Sequence, residues 1–323
     1  MHMLMGVEIG GTKLQVAVAD DSGAIREIWR ATVDAVSGGE GIRRRLADEI
    51  PSLAARFANA FGPLKAIGVG YGGPVDSATG TTICSHQISG WENIPLARLL
   101  AEVAKVPCVV GNDADVAGLG EAERGAGRGV RPLFYTTVGS GIGGGLILEG
   151  VGIHPGAGLG SAEVGHLRLS PGGPIVEEIG SGWGIQRQAR RALEAGEDSS
   201  LSKLKIEEVT VPVIAKAAQT GDPLAKRVLQ EGIDALGFGL AQVMAIACPK
   251  RLVVGGGVSL LGEDAYLAPL RESVRRQTFA PYAHLVDLVG AELGEEVVLH
   301  GAVALAKLGR FQAGLACMVN LNK

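Results

Sequence analysis

Long apolar runs are missing from this 323-residue chain. The nearest candidate, Ala235 to Cys248, is broken by Gly237, Gly239 and Gln242 and is too short to cross a bilayer, so no membrane partner is expected. Cysteine is scarce as well. Cys84, Cys108, Cys248 and Cys317 lie far apart and form no CxxC pair, which excludes a disulfide framework and a cysteine metal knuckle and predicts buried free thiols. There is no basic block: 30 Lys and Arg stand against 34 Asp and Glu, a net charge of −4. The electrostatic footprint of a duplex-binding protein is therefore absent, and nucleic acid is not an expected partner. The N-terminus enters a strand-like run without the basic and apolar regions of a signal peptide, so the expected location is cytoplasmic.

What the chain has in quantity is glycine, 50 residues, about twice the usual share. With 46% hydrophobic and 20% charged residues it is a globular protein with ample core, long enough for about two domains. Met3 to Ile9 is apolar, Gly10-Gly11-Thr12-Lys13 forms a turn, and Leu14 to Asp20 alternates, which together predict a β-hairpin. A third strand over Ala24 to Thr32, a helix over Glu40 to Phe61, and a strand over Leu64 to Gly70 follow. A helix over Pro95 to Lys105 and a strand ending at Val110 then complete a mixed α/β pattern. From Pro132 the opening repeats: strand Leu133 to Val138, a Gly-Ser-Gly-Ile-Gly turn, and a returning strand Gly144 to Glu149. An internal duplication would present both glycine turns to one anion. Helices over Gly184 to Ala195, Thr210 to Gln219 and Pro223 to Cys248 lead to strand Arg251 to Val254 and then Gly255-Gly256-Gly257. The glycines at Gly118 to Gly129 suggest a boundary, giving domains 1–118 and 119–300 with a C-terminal helix from about 300 returning to the first.

Gly10, Gly11, Thr12 and Lys13 offer backbone donors, a hydroxyl and a cation suited to phosphate oxygens. A tight turn needing positive φ accounts for Gly10 and Gly11 equally well. Gly139, Gly141 and Gly144 also satisfy GxGxxG, but that motif needs a following helix, and Gly145 to Gly150 is too short and strand-like to be one. A dinucleotide site is thus set aside. Gly255 to Gly257 serves either close ligand approach or packing. Asn112-Asp113 falls at the carboxyl end of a strand, where open α/β sheets place their sites, and Asp113 either does chemistry or caps the next helix, with Asp115 as competitor. Glu163 and His166 combine a carboxylate and an imidazole suited to sugar hydroxyls. Glu177 or Glu178 adds a loop acid, whose alternative is plain solvated surface. His2, His86, His154, His284 and His300 have no such neighbours and read as ordinary histidines.

The ordered set GGTK at 10–13, GGPVD at 72–76, GWENIPL at 90–96, NDAD at 112–115, GSGIGGG at 139–145, ExGH at 163–166 and GGG at 255–257 strongly resembles the ROK family of sugar kinases and sugar-responsive repressors. The resemblance runs to about Ala306 and leaves the tail 310–323 without a reading. It implies an α/β, two-domain actin-like ATPase (ribonuclease H-like) fold with an interdomain cleft. It also implies ATP-dependent phosphorylation of a hexose, glucose foremost, with fructose, N-acetylmannosamine and N-acetylglucosamine as alternatives. By this resemblance Asp113 is the base, while Gly73, Asn112, Glu163, His166 and Glu177 bind sugar. Glu177 is preferred to Glu178 for standing five residues before Gly182. Gly10 to Lys13 and Gly139, Ser140 and Gly141 would flank the ATP phosphates, and Gly255, Gly256 and Gly257 would lie near adenosine. A homodimer is implied too. Glu8 stands where the family has Asp, and its longer side chain would reach a water bound to Mg2+. Ser140 replaces a usual Thr. Leu167 to Glu177 lacks the cysteines with which many relatives bind zinc, so no zinc is expected and His166 needs another partner. Repressors of the family carry a DNA-binding segment ahead of the first glycine motif. Only nine residues precede Gly10, so a kinase is expected before a repressor, with a catalytically weak sugar-binding regulator as the alternative.

Overall fold

Near-continuous apolar runs, buried on both faces, give β1 (Met3–Ile9) and β2 (Lys13–Ala19), and the more exposed β3 (Ile25–Thr32) completes an antiparallel set, with Val7 opposite Val16 and Val16 opposite Trp29. The computed structural model describes residues 1–33, 37–85, 87–159 and 162–320, with side chains of the last helix described as far as Gly309. His86, Gly160, Cys317 and the side chains of the tail from 310 lie outside the described residues.

Helix α1 (Gly38–Phe61) buries Ile42, Leu46, Ile50 and Leu53, a three-to-four-residue spacing that forms one stripe against the sheet. The chain then adds β4 (Leu64–Tyr71) parallel to β1, a small hairpin β5 (Val75–Asp76) and β6 (Thr81–Thr82), α2 (Leu96–Ala104), and β7 (Cys108–Asn112) parallel to β4. The sheet order is β3-β2-β1-β4-β7, and α3 (Asp113–Arg124) leaves directly from the end of β7.

The second sheet repeats this order of addition. Strands β8 (Leu133–Val138), β9 (Ile142–Leu148) and β10 (Gly152–Ile153) precede α4 (Val176–Gly180), α5 (Gly182–Glu194), α6 (Val211–Gln219) and α7 (Pro223–Ile246). Then come β11 (Arg251–Gly255), α8 (Ala268–Gln277), β12 (Leu288–Gly290) and α9 (Val297–Asn320). The order is β10-β9-β8-β11-β12, with β11 parallel to both β8 and β12. Strand β9 starts at Ile142, two residues before the expected Gly144, so the glycines from Gly143 to Gly145 belong to a strand and no helix follows them.

The chain forms two compact units: unit 1 holds 1–129, 145–161 and 295–323, and unit 2 holds 130–144 and 162–294. This differs from a division at 118. Position 118 falls inside α3, so the first unit runs on to 129 and also takes in 145–161, while the final helix, which packs on α3, lies in it from 295. In unit 1, α1 covers one sheet face. Leu299 and Val303 of α9 cover the other, against Leu4, Ala17 and Ala66. A Cβ at Gly68 would lie 1.9 Å from the Ala302 carbonyl oxygen, so only glycine lets α9 approach β4 this closely. Among the described residues, no helix is long and apolar enough to cross a membrane. Cys84, Cys108 and Cys248 are free thiols, half-buried rather than buried as expected.

Candidate active site

Unit 1 places Asp113 at the first position of α3, half-buried. Its neighbour Asn112 caps the helix: the Asn112 Oδ1 accepts from the backbone N–H of Ala114 at 2.9 Å and of Asp115 at 3.4 Å. The Asn112 amide nitrogen donates to the Gly73 carbonyl at 3.1 Å. Asn112 therefore fixes the start of α3 to the 72–76 loop. Asp113 Oδ1 also accepts from Ala114 N–H, at 2.8 Å. A Cβ on Gly72 would stand 3.5 Å from Asp113 Oδ2, so the bare Gly72 backbone borders this carboxylate. Asp115 is buried, only 6% exposed.

The first glycine turn is closed by Gly10 N–H donating to the Lys13 carbonyl at 2.9 Å. Neither Gly10 nor Gly11 has positive φ, which removes the backbone-conformation account of these glycines. The exposed Gln87 side chain lies over Gly11. Lys13 Nζ pairs with Glu295 at 3.1 Å, an exposed ion pair of small energetic weight. Glu8 is half-buried and its carboxyl is pushed up to about 7, chiefly by burial, with Asp113 and Glu295 adding to the rise and Lys13 and Gln15 opposing it. Gln15 donates to Glu8 Oε2 at 2.9 Å and accepts from Arg30 Nε at 2.9 Å, so a hydrogen-bonded relay holds this acid in place.

Unit 2 builds the second turn differently. Gly139 N–H donates to the Gly141 carbonyl at 2.9 Å, and Gly182 N–H donates to the Gly139 carbonyl at 2.8 Å. Glu177 Oε2 accepts from Ile142 N–H at 2.7 Å, and a Cβ on Gly141 would sit 2.5 Å from that same oxygen. Glu177, considered above for sugar, thus has one oxygen committed to holding this turn. Glu178 accepts from Ile175 N–H at 2.9 Å and serves the start of α4. At the third glycine run, Gly256 has φ +85 and a Cβ there would lie 2.5 Å from Val138 N, so packing and conformation both demand glycine. Gly257 faces open space instead. The two accounts of this run therefore divide between adjacent residues.

Glu163 and His166 flank a short 3-10 turn, Val164–His166, in which His166 N–H donates to the Glu163 carbonyl at 3.0 Å; both side chains are exposed. The cysteine-free stretch that follows is a hairpin closed by its own backbone. Val176 N–H donates to Leu167 O, Leu169 N–H to Pro174 O, and Gly173 N–H to Ser170 O, each at 2.9 Å. The Arg168 guanidinium adds a bond to Gly173 O at 2.7 Å. Among the described residues no group of three His, Cys, Asp or Glu side chains is placed to hold a metal.

One feature was not foreseen from the sequence. A cavity of about 240 Å³ within unit 2 is lined by Gly139, Ser140, Trp183, Gln186, Pro212 and Gly257, among others. It joins the second and third glycine runs to the first turn of α5. The local hint was a tryptophan directly after Ser181-Gly182, in a first turn that buries Gly182, Gly184 and Ile185 and leaves Trp183 exposed.

The model described as ROK family matches residues 4–308. A glucokinase from Halalkalibacterium halodurans is 30% identical over 315 residues, covering 94% of each chain. Among solved structures, the ROK hexokinase from Thermus thermophilus superposes with a TM-score of 0.79 at 31% identity, over 95% of this chain and 98% of that one. A ROK family glucokinase from Streptomyces griseus, solved with glucose and AMPPNP, gives 0.74 at 30% identity, over 95% and 99%. The shared architecture is the two-domain actin-like ATPase fold. Agreement of sequence and fold over nearly the whole length means that this chain belongs to the ROK family.

Proposed function

We propose that this protein is an ATP-dependent hexose kinase, with glucose the first substrate to test and Asp113 the general base. The observation that carries the reading is the Asp113 carboxylate, anchored on the first turn of α3 by Ala114 N–H and bordered by the bare Gly72 backbone. A sugar hydroxyl placed there loses its proton to Asp113 as its oxygen bonds to the γ-phosphorus. The bond from that phosphorus to the β,γ-bridging oxygen breaks, and ADP leaves with the electron pair. Positioning and charge stabilisation carry most of such a reaction.

Each remaining residue has a task that its observed setting suits. Glu163 and His166 are exposed and hold sugar hydroxyls, and Gly73 supplies backbone. Asn112 positions α3 and the Gly73 backbone with its Oδ1 and one amide N–H, and offers its second amide N–H to a sugar hydroxyl. Glu177 keeps the Gly139 to Gly141 turn shaped for the donor phosphates; a sugar contact would use its other oxygen. Gly10, Gly11, Thr12 and Lys13 provide donors and a cation for phosphate. Gly255 to Gly257 border the adenosine end.

Mg2+ carried with ATP would neutralise phosphate charge. Glu8 fits its coordination sphere, because a half-buried carboxyl pushed up to about 7 beside Asp113 is relieved by a nearby cation. We take the working form to be a cytoplasmic homodimer, which sedimentation of the purified protein tests. The deciding assay is sugar-dependent ADP release across glucose, fructose, N-acetylmannosamine and N-acetylglucosamine, with ATP as donor. Turnover with glucose supports the reading. No turnover with any of these sugars overturns it and leaves a sugar-binding regulator.

A further inference from the structure

We infer that Trp183, Gln186 and Arg190 form a clamp for the purine base of the phosphoryl donor, making the site selective for a nucleotide over a base-free phosphate chain. The inference deepens the proposed kinase reading and rests on it for the identity of the donor site. The cavity between the second glycine turn, Gly257 and α5 has no charged side chain in its lining. That lining suits an uncharged, flat group, while the nearby cations Arg187, Arg190 and Arg191 line a neighbouring cavity that Trp183 and Gln186 also border. Trp183 supplies the surface for one. It is 64% exposed, whereas Trp91 is 1% exposed and Trp29 is packed against the core. A large aromatic left this open, at the mouth of a cavity floored by glycine, is a stacking platform.

Gln186 lies one helical turn beyond Trp183 on the same side of α5 and lines the same cavity. Its Oε1 accepts from an Arg190 guanidinium nitrogen at 3.3 Å. That leaves the amide nitrogen as the group offered to a ring-nitrogen acceptor on the base edge. The same Arg190 nitrogen also lies 3.3 Å from the Val209 carbonyl and 3.5 Å from the Glu207 carbonyl, so its two hydrogens are shared among three acceptors that fix its place. Arg190 is thus a positioning residue, acting through Gln186.

The experiment compares ADP with inorganic tripolyphosphate, a base-free competitor, on the full-length protein and on W183A, W183F, Q186A, R190Q, R190K and the double variant Q186A/R190Q. Calorimetry reads ADP affinity, and steady-state kinetics reads ATP KM and kcat. W183A is expected to weaken ADP by about 5- to 150-fold, the loss of one base–aromatic stack, and W183F to restore most of it. ATP KM rises with kcat retained, and tripolyphosphate inhibition is unchanged. R190Q is expected to match Q186A, the double variant to add nothing to either, and R190K to recover part of the loss. An unchanged ADP affinity in W183A, or equal weakening of ADP and tripolyphosphate, overturns the clamp. Additive losses for Gln186 and Arg190 overturn the positioning role. ADP binding that depends on Trp183, in a protein that phosphorylates no hexose, would uphold the clamp while the kinase reading falls.

Discussion

The two glycine turns have the same local design, strand, small-residue bend, returning strand, and they are held by opposite means. The turn at Gly10 to Lys13 is surrounded by ionisable groups: Glu8 on the strand before it, Lys13 paired to Glu295, and Asp113 close enough to raise the Glu8 carboxyl. The turn at Gly139 to Gly141 is fixed by neutral backbone contacts and one carboxylate, with Glu177 on Ile142 N–H and Gly182 N–H on the Gly139 carbonyl. A repeated backbone pattern thus supports two tasks. The first turn manages charge, and the second manages shape. Substitutions that alter charge should therefore act through pH and turnover at the first turn, and those that alter shape should act through donor affinity and stability at the second.

The largest effect belongs to Asp113→Asn, which keeps the side-chain outline and removes the base. We expect kcat to fall by about 10²–10⁴-fold, with sugar affinity measured by calorimetry within about threefold of the parent. Near-parental turnover would remove Asp113 from the chemistry.

Glu8→Gln tests the charge side in the absence of ligands. In the folded protein Glu8 keeps its proton to about pH 7, against the ordinary value of 4.5, so the folded state binds that proton more tightly than the unfolded chain does. Stability from this group therefore declines as pH rises from 4.5 to 7 and stays low above that. Glu8→Gln should match the parent at pH 4.5 and exceed it at pH 8 by up to about 3 kcal/mol in urea unfolding. A pH-independent difference would break the contrast between the turns.

The shape side is tested by a matched pair. Gly256→Ala forces a Cβ to within 2.5 Å of Val138 N at φ +85 and should cost about 1–3 kcal/mol of stability. Gly139→Ala has no atom within 4 Å of its new methyl and should change stability by about 0.5 kcal/mol at most. Equal losses would mean that the third glycine run is not the rigid one.

The smallest effect is Glu177→Gln, which weakens one charge-assisted bond to Ile142 N–H by about 1 kcal/mol. It should raise ATP KM several-fold and spare kcat. A loss confined to sugar affinity would return Glu177 to a sugar-binding role alone.

Local patterns in the chain carried much of this. The ranges Met3 to Ile9 and Leu133 to Val138 coincide with β1 and β8, because apolar runs between turn residues depend on near neighbours alone. The start of α3 was legible too, but how Asn112 and Asp113 divide the capping depends on side-chain orientation, which adjacent residue types do not specify. Strand β9 was placed late, since glycines from Gly143 to Gly145 carry no side-chain pattern and take their strand form from pairing and close packing. The first unit runs past 118 because that position lies inside α3, and the 145–161 segment rejoins it after β8, a return that glycine content does not reveal. The Glu177 bond to Ile142 spans 35 positions, and the cavity at Trp183 gathers four separate segments. Neither leaves a periodic trace.

The backbone passes between the two units at 129/130, 144/145, 161/162 and 294/295. Severing it at any one of these points parts the chain into two pieces that share at least one unit, so a nicked molecule should migrate whole under native conditions through packing inside that unit, such as α9 against α3, β1 and β4, and come apart in denaturant. By the same connectivity, neither half could be obtained by trimming the gene from one end. Each would need a spliced or circularly rearranged coding sequence.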